Sequence, residues 1–214
     1  MVGKHALLVC LELHSVHISR DRTDPSYNVL RAIFGDGCAA VVVSGETAET
    51  ASGKWALQGR LSHLAEDSTN VVGVKVDPVG FDWILSPTLP KLVRSGICQF
   101  IDEVMITQDL KDHSDIDLWA VHPGGPAILE AVQTGLGLEE DKLKESWEVL
   151  KECGNMSSVT IWNVLQKVME KDRPNAQNLL ALAFGPGVTI ESVMLHKHLS
   201  PIDNTDILNA STYF

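Results

Sequence analysis

Two short stretches of this 214-residue chain carry side chains suited to chemistry on a carbonyl. In "LWAVHPGGPAILEAV" an apolar run ends on His122, and two glycines follow before an amphipathic run opens at Pro126. Gly124 and Gly125 allow backbone N–H groups close to a ligand, and a helix start favours negative charge. In "ECGNMSSV" a glycine and Asn155 precede another helical stretch. A histidine and an asparagine can both donate hydrogen bonds to an oxygen that gains charge in a transition state. Taken singly, His122 equally fits a strand-end residue bonded to a neighbouring carbonyl, and Asn155 fits a helix N-cap.

The elements that must hold these residues follow from the apolar pattern. Ala6–Leu13 reads as a buried strand, followed by a polar loop through Asn28 that carries His14 and His17. Ala39–Ser44 reads as a second strand, and no helix is expected between the two. Trp55–Asp67 fits a strand or a short helix. A loop with Pro78, Gly80, Pro87 and Pro90 surrounds Phe81 and Trp83. Helices are expected over Lys91–Met105, from near Pro126, over Leu143–Glu152 and over Met156–Lys171, with a strand at Leu118–Val121. Leu179–Lys197 reads as strand, glycine turn, strand, and a polar tail begins at His198. Strands alternating with helices predict an α/β sheet with helices on its faces.

Composition narrows the function. The chain is 44% hydrophobic and 21% charged, which is ordinary for a globular protein. A net charge of −11 without Lys/Arg clusters argues against a nucleic-acid face. Four cysteines, at 10, 38, 98 and 153, lack CxxC spacing, so reduced thiols in a cytoplasmic setting and no metal site are expected. "ALLVCLEL" is too short for a membrane span. The opening of the chain directly on a strand suggests a start inside a larger fold.

Four motifs arrive in order: Phe34-Gly35-Asp36-Gly37, His122-Pro123-Gly124-Gly125-Pro126, Gly154-Asn155-Met156-Ser157-Ser158 and Phe184-Gly185-Pro186-Gly187. In these the sequence resembles the type III polyketide synthases, the chalcone-synthase-like branch of the thiolase fold. The resemblance implies a layered αβαβα architecture with a complete C-terminal half and a truncated N-terminal half. Residues 1–50 would be a remnant of the first half, 51–198 the second half and 199–214 a tail. It implies acyltransferase chemistry: decarboxylative condensation of malonyl-CoA onto an acyl-CoA starter, with no cofactor beyond these CoA thioesters, in a homodimer or a heterodimer with a full-length homologue. His122 and Asn155 match the family's thioester-oxygen donors, and an imidazolium is expected to activate the family's cysteine nucleophile.

That nucleophile precedes the strand matching Ala6–Leu13, so none of the four cysteines matches it, although Cys153 lies nearest to a motif. By the same resemblance Trp55 and Trp83 take aromatic gate positions, His14, His17, Val74 and Ser157 line the cavity, Ala127 makes a backbone contact to CoA, and Gly185 and Pro186 of the last motif are substrate-binding. Three functions follow as expectations: the C-terminal portion of a polyketide synthase not competent alone, an inactive partner of a full-length homologue, or a weak malonyl-CoA decarboxylase.

Overall fold

The run Leu179-Leu180-Ala181-Leu182 has no polar alternation because both of its faces are covered. The computed structural model describes residues 2–17, 25–47, 50–77, 80–171 and 173–197. Within them β7 (Asn178–Gly185) lies in a four-stranded sheet, between β6 (Leu118–Val121) and β8 (Thr189–Lys197), with β3 (Trp55–Leu64) on the outer side of β8. β6 and β7 are parallel; the β7–β8 and β8–β3 pairs are antiparallel. Successive residues of β6 and β7 point to opposite faces. Trp119, Val121, Leu180 and Leu182 enter a core shared with α2 (Leu89–Thr107) and α3 (Pro126–Leu136). Ala120, Leu179 and Ala181 enter a second core with Val149 of α4 (Lys144–Cys153) and Val164, Leu165 and Val168 of α5 (Thr160–Glu170). The helix–sheet–helix sandwich is thus written into a period of two along the strands and a period near 3.6 along α2, where Val93, Ile97, Phe100, Ile101 and Val104 are buried.

Two smaller ribbons flank this body. β1 (His5–Glu12) pairs antiparallel with β2 (Gly37–Ser44), and β4 (Val72–Asp77) with β5 (Gly80–Leu85). The expected loop around Trp83 is therefore a hairpin. Alternating Val72, Val74 and Val76 favour the extended backbone despite the nearby Pro78, which lies outside the described residues, as does the expected tail from His198. The expectation of no helix between the first two strands is also wrong. α1 (Pro25–Ile33) lies there, burying Tyr27 and Leu30 at helical spacing in a stretch that looks polar by composition. The ambiguous Trp55 stretch is a strand, since its edges pair with β8 through Leu64.

The β1–β2 ribbon leaves apolar side chains in the open: Leu7 is 68% and Leu11 62% exposed. It is tied to the body by backbone at one place. The Asn155 N–H donates to the Ile33 carbonyl at 2.8 Å, and the Gly35 N–H donates to the Asn155 carbonyl at 3.0 Å, making a parallel bridge between Phe34 and Asn155. This close approach requires glycine on both sides. A Cβ at Gly35 would collide with the Cys153 carbonyl oxygen. Gly154 has φ 72°, and a Cβ there would lie 2.5 Å from the Ile33 carbonyl oxygen. Gly154→Ala is expected to destabilise the chain by about 1–3 kcal/mol through backbone strain, with the clash added to that cost. Urea unfolding measures it, and an unchanged midpoint would contradict the tight bridge.

Candidate active site

His122 follows the last residue of β6, and its N–H donates to the Leu182 carbonyl at 2.8 Å, so the parallel pairing runs one step beyond the strand. That bond places the imidazole beside Ala183 and Phe184 at the end of β7. Pro123 and the two glycines then turn the chain into α3. The ring is buried, and burial without a compensating charge pushes its pKa down to about 4. It is neutral near pH 7, so it presents one N–H and one lone pair. Among the described residues the ring has no hydrogen-bond partner, and it faces a pocket of about 510 Å³.

Asn155 reaches the same pocket from the opposite side, at the turn between α4 and α5. Its Nδ2 donates to the Gly124 carbonyl at 3.1 Å, and its Oδ1 accepts from the Ser157 N–H at 2.8 Å. These two bonds fix the amide and join the Gly154 turn to the His122 turn. One Nδ2 hydrogen is left over after the bond to Gly124. The asparagine is thus no simple N-cap, because its side chain bridges two loops and its backbone carries the tie to Phe34.

The pocket is closed by the first ribbon, the β4–β5 hairpin and the β7–β8 turn. Glu12, His14, Phe34, Val74, Trp83, Ser157, Gly185 and Pro186 all line it, together with His17 on its rim. Ser68 sits against the β7–β8 turn, its Oγ 2.5 Å from the carbonyl oxygens of both Ala65 and Gly187, which share its one O–H as donor. The rings of Phe34 and Trp83 pack at a 46° tilt with centroids 5.4 Å apart, and the His14 ring centroid lies 4.7 Å from that of Phe34. Trp83 and Val74 are direct cross-strand partners, which puts both on one face of the hairpin. None of the four cysteines lines the pocket.

Residues 57–198 match the family described as chalcone and stilbene synthases, C-terminal domain. The chain belongs to this family. It is 36% identical over 196 residues to "Alpha-pyrone synthesis polyketide synthase-like Pks18" of Mycobacterium tuberculosis, covering 88% of this chain and 49% of that protein. It is 33% identical over 199 residues to "Polyketide synthase 37" of Dictyostelium discoideum, covering 90% of this chain and 7% of that protein. Among solved structures, PKS-I from the brown alga Ectocarpus siliculosus superposes with a TM-score of 0.86 at 36% identity, over 91% of this chain and 53% of that one. The C-terminal type III polyketide synthase domain of Steely1, a type I/III hybrid from Dictyostelium, gives 0.83 at 25% identity, over 91% and 54%. The chain thus spans about half the length of Pks18 and of both solved domains, and its fold is the thiolase-like α/β fold of type III polyketide synthases.

The structure gathers most of the expected cavity residues and leaves Trp55 outside. Trp55 pairs with Lys197 at the end of β3 remote from the pocket, nine strand positions and roughly 30 Å from the Leu64–Thr189 pair beside the β7–β8 turn. There it packs on the α5-side core, with the Lys197 ammonium 5.8 Å from its ring centroid. The aromatic that faces Trp83 is Phe34, the first residue of a motif whose glycines draw the eye away from it. Ala127, expected only as a backbone contact to CoA, is exposed in the first turn of α3, while Ile128 and Leu129 take the inward face of that turn. Glu12 was missed because it closes an apolar strand, and only the approach of β1 to the Ser157–Val159 turn before α5 reveals it: its Oε1 accepts from Ser158 Oγ at 2.6 Å. Among the described residues no acidic, histidine and cysteine group is arranged for a metal ion, and no helix is long and apolar enough to cross a membrane.

Proposed function

We propose that this chain carries the decarboxylating half of a type III polyketide synthase site, binding malonyl thioesters of CoA in the 510 Å³ pocket. The observation that supports it is the pair of donors. A buried, neutral His122 with no protein partner among the described residues and an Asn155 amide fixed at both ends face one cavity, whose size suits a small ligand. Loss of CO2 from a malonyl thioester breaks the bond between the carboxylate carbon and the methylene, and the electron pair passes into an enolate on the thioester oxygen. The His122 N–H and the Asn155 amide stabilise that oxygen, and protonation of the methylene carbon gives the acetyl thioester.

Condensation has a further requirement, a covalent acyl carrier, and the cysteines of this chain lie outside the pocket. The proposal is therefore slow conversion of malonyl-CoA to acetyl-CoA without polyketide formation. Chromatography of the CoA esters after incubation with the whole chain tests it. Absence of acetyl-CoA above the protein-free rate overturns the decarboxylase reading, and a polyketide product overturns the claim that no cysteine reaches the site.

The proposal extends to a protein partner. Leu7, Val9, Leu11 and Val42 on the β1–β2 ribbon are exposed apolar residues. Such a surface favours pairing, as a homodimer or with a full-length homologue that covers it. Sedimentation of the chain is expected to show a dimer or larger species, and a monodisperse monomer would contradict the pairing.

A further inference from the structure

We infer that Ser157 and His14 form a nucleophile and general base in the same pocket, able to accept an acyl group from a thioester or activated ester and to release it to water. His14 Nε2 lies 2.8 Å from Ser157 Oγ, and His14 Nδ1 lies 2.9 Å from the Gly35 carbonyl oxygen. A carbonyl can only accept, so this bond takes a proton on Nδ1, and the tautomer protonated there offers the Nε2 lone pair to the serine hydroxyl. A nucleophile bonded to a base, with the base held by a third group, is the arrangement that activates hydroxyls.

Three more observations support the pair. His14 is buried against Phe34 and Trp83, which fixes the plane of its ring. Ser157 has φ 49°, the left-handed region that residues other than glycine seldom occupy, and it opens the turn leading into α5. Backbone strain of that kind clusters at sites of chemistry. Its neighbour Ser158 is bonded instead to the Glu12 carboxylate, a weaker base than imidazole.

In the first step the Ser157 O–H proton passes to His14 Nε2 as Oγ bonds to the carbonyl carbon. The C–S bond breaks, the electron pair leaves on sulfur, and the proton on Nε2 is delivered to the thiolate. In the second step water gives a proton to Nε2 and its oxygen to the acyl carbon. The Oγ–C bond breaks, and Ser157 recovers its proton. The net reaction is thioester plus water to carboxylic acid plus thiol. Charge on the carbonyl oxygen is met by His122 and Asn155, and in this respect the inference rests on the donor roles proposed above.

The test uses a fluorophosphonate probe on the whole chain, with the labelled residue located by peptide mass spectrometry. Label is expected on Ser157, absent in Ser157→Ala. His14→Asn keeps a donor toward the Gly35 carbonyl but removes the base, so labelling should slow by about 100-fold or more. No adduct, an adduct on another residue, or an unchanged rate in His14→Asn overturns the pair. Should His14→Asn lose its cooperative melt, Ser157→Cys decides. A thiol beside an imidazole is more reactive, so iodoacetamide should modify it faster than the exposed Cys38 in the same molecule, and an equal or slower rate overturns the pair. Labelling needs no malonyl-CoA turnover, so label without decarboxylation sinks only the decarboxylase reading, and decarboxylation without label sinks only this one.

Discussion

Alanine at position 122 is expected to lower conversion of malonyl-CoA to acetyl-CoA by about 100-fold or more, and alanine at 155 by a similar factor. In the proposed reaction each donor acts on an oxygen whose charge develops only as CO2 departs, so its removal affects the transition state more than the bound substrate. The loss should therefore fall on kcat, with KM little changed for His122→Ala. The two variants differ in their structural consequences. His122→Ala removes a ring with no protein hydrogen bond among the described residues and leaves the His122 N–H to Leu182 bond intact. Asn155→Ala also breaks the side-chain bonds to Gly124 and Ser157, so its melting temperature should fall as well. Turnover unchanged in both would leave His122 as a strand-end residue and Asn155 as a loop brace.

The second large effect is on stability against pH. Burial depresses His122 from 6.5 to about 4 in the folded chain. Between these values the unfolded chain binds a proton that the native chain does not, so acid favours unfolding. The stabilising difference is fully present above about pH 6.5 and is lost as pH falls toward 4. Integrated to about pH 4.5, it amounts to about 2–3 kcal/mol. Asp36 and Asp112, whose carboxyls are held low by hydrogen bonds from Ser15 and Ser114, add losses of the same sign on the acid side. They are common to wild type and variant, and cancel in a comparison. In urea unfolding at about pH 7 and about pH 4.5, wild type should therefore lose about 2–3 kcal/mol more than His122→Gln. Equal losses in the two proteins would mean that the imidazole is not buried and neutral.

Much of the fold is legible in local pattern, because one rule acts on each element. Leu118–Val121 and Leu179–Lys197 are readable as strands from unbroken apolar runs, and α2 from its repeat of buried Val93, Ile97, Ile101 and Val104. His122 and Asn155 are legible as site candidates from their glycine-flanked turns, and order among four motifs indicates the family. What local pattern does not carry is register and long-range approach. α1 is hidden in a polar stretch because two buried residues, Tyr27 and Leu30, suffice to seat it. Trp55 and Phe34 change places as the aromatic at the pocket because the β3–β8 pairing carries Trp55 to the far end of the sheet while the bridge to Asn155 brings Phe34 in, and composition shows neither long-range pairing. The neutral state of His122 depends on how many groups surround it and on the lack of a charge among them. The His14–Ser157 bond joins residues 143 positions apart, and it exists because Gly35 and Gly154 let two backbones meet at the Phe34–Asn155 bridge. The sequence by itself determined most of the elements, the family and the two candidate site residues; the tertiary structure alone decided which side chains share the pocket, since that depends on the packing of segments no local rule connects.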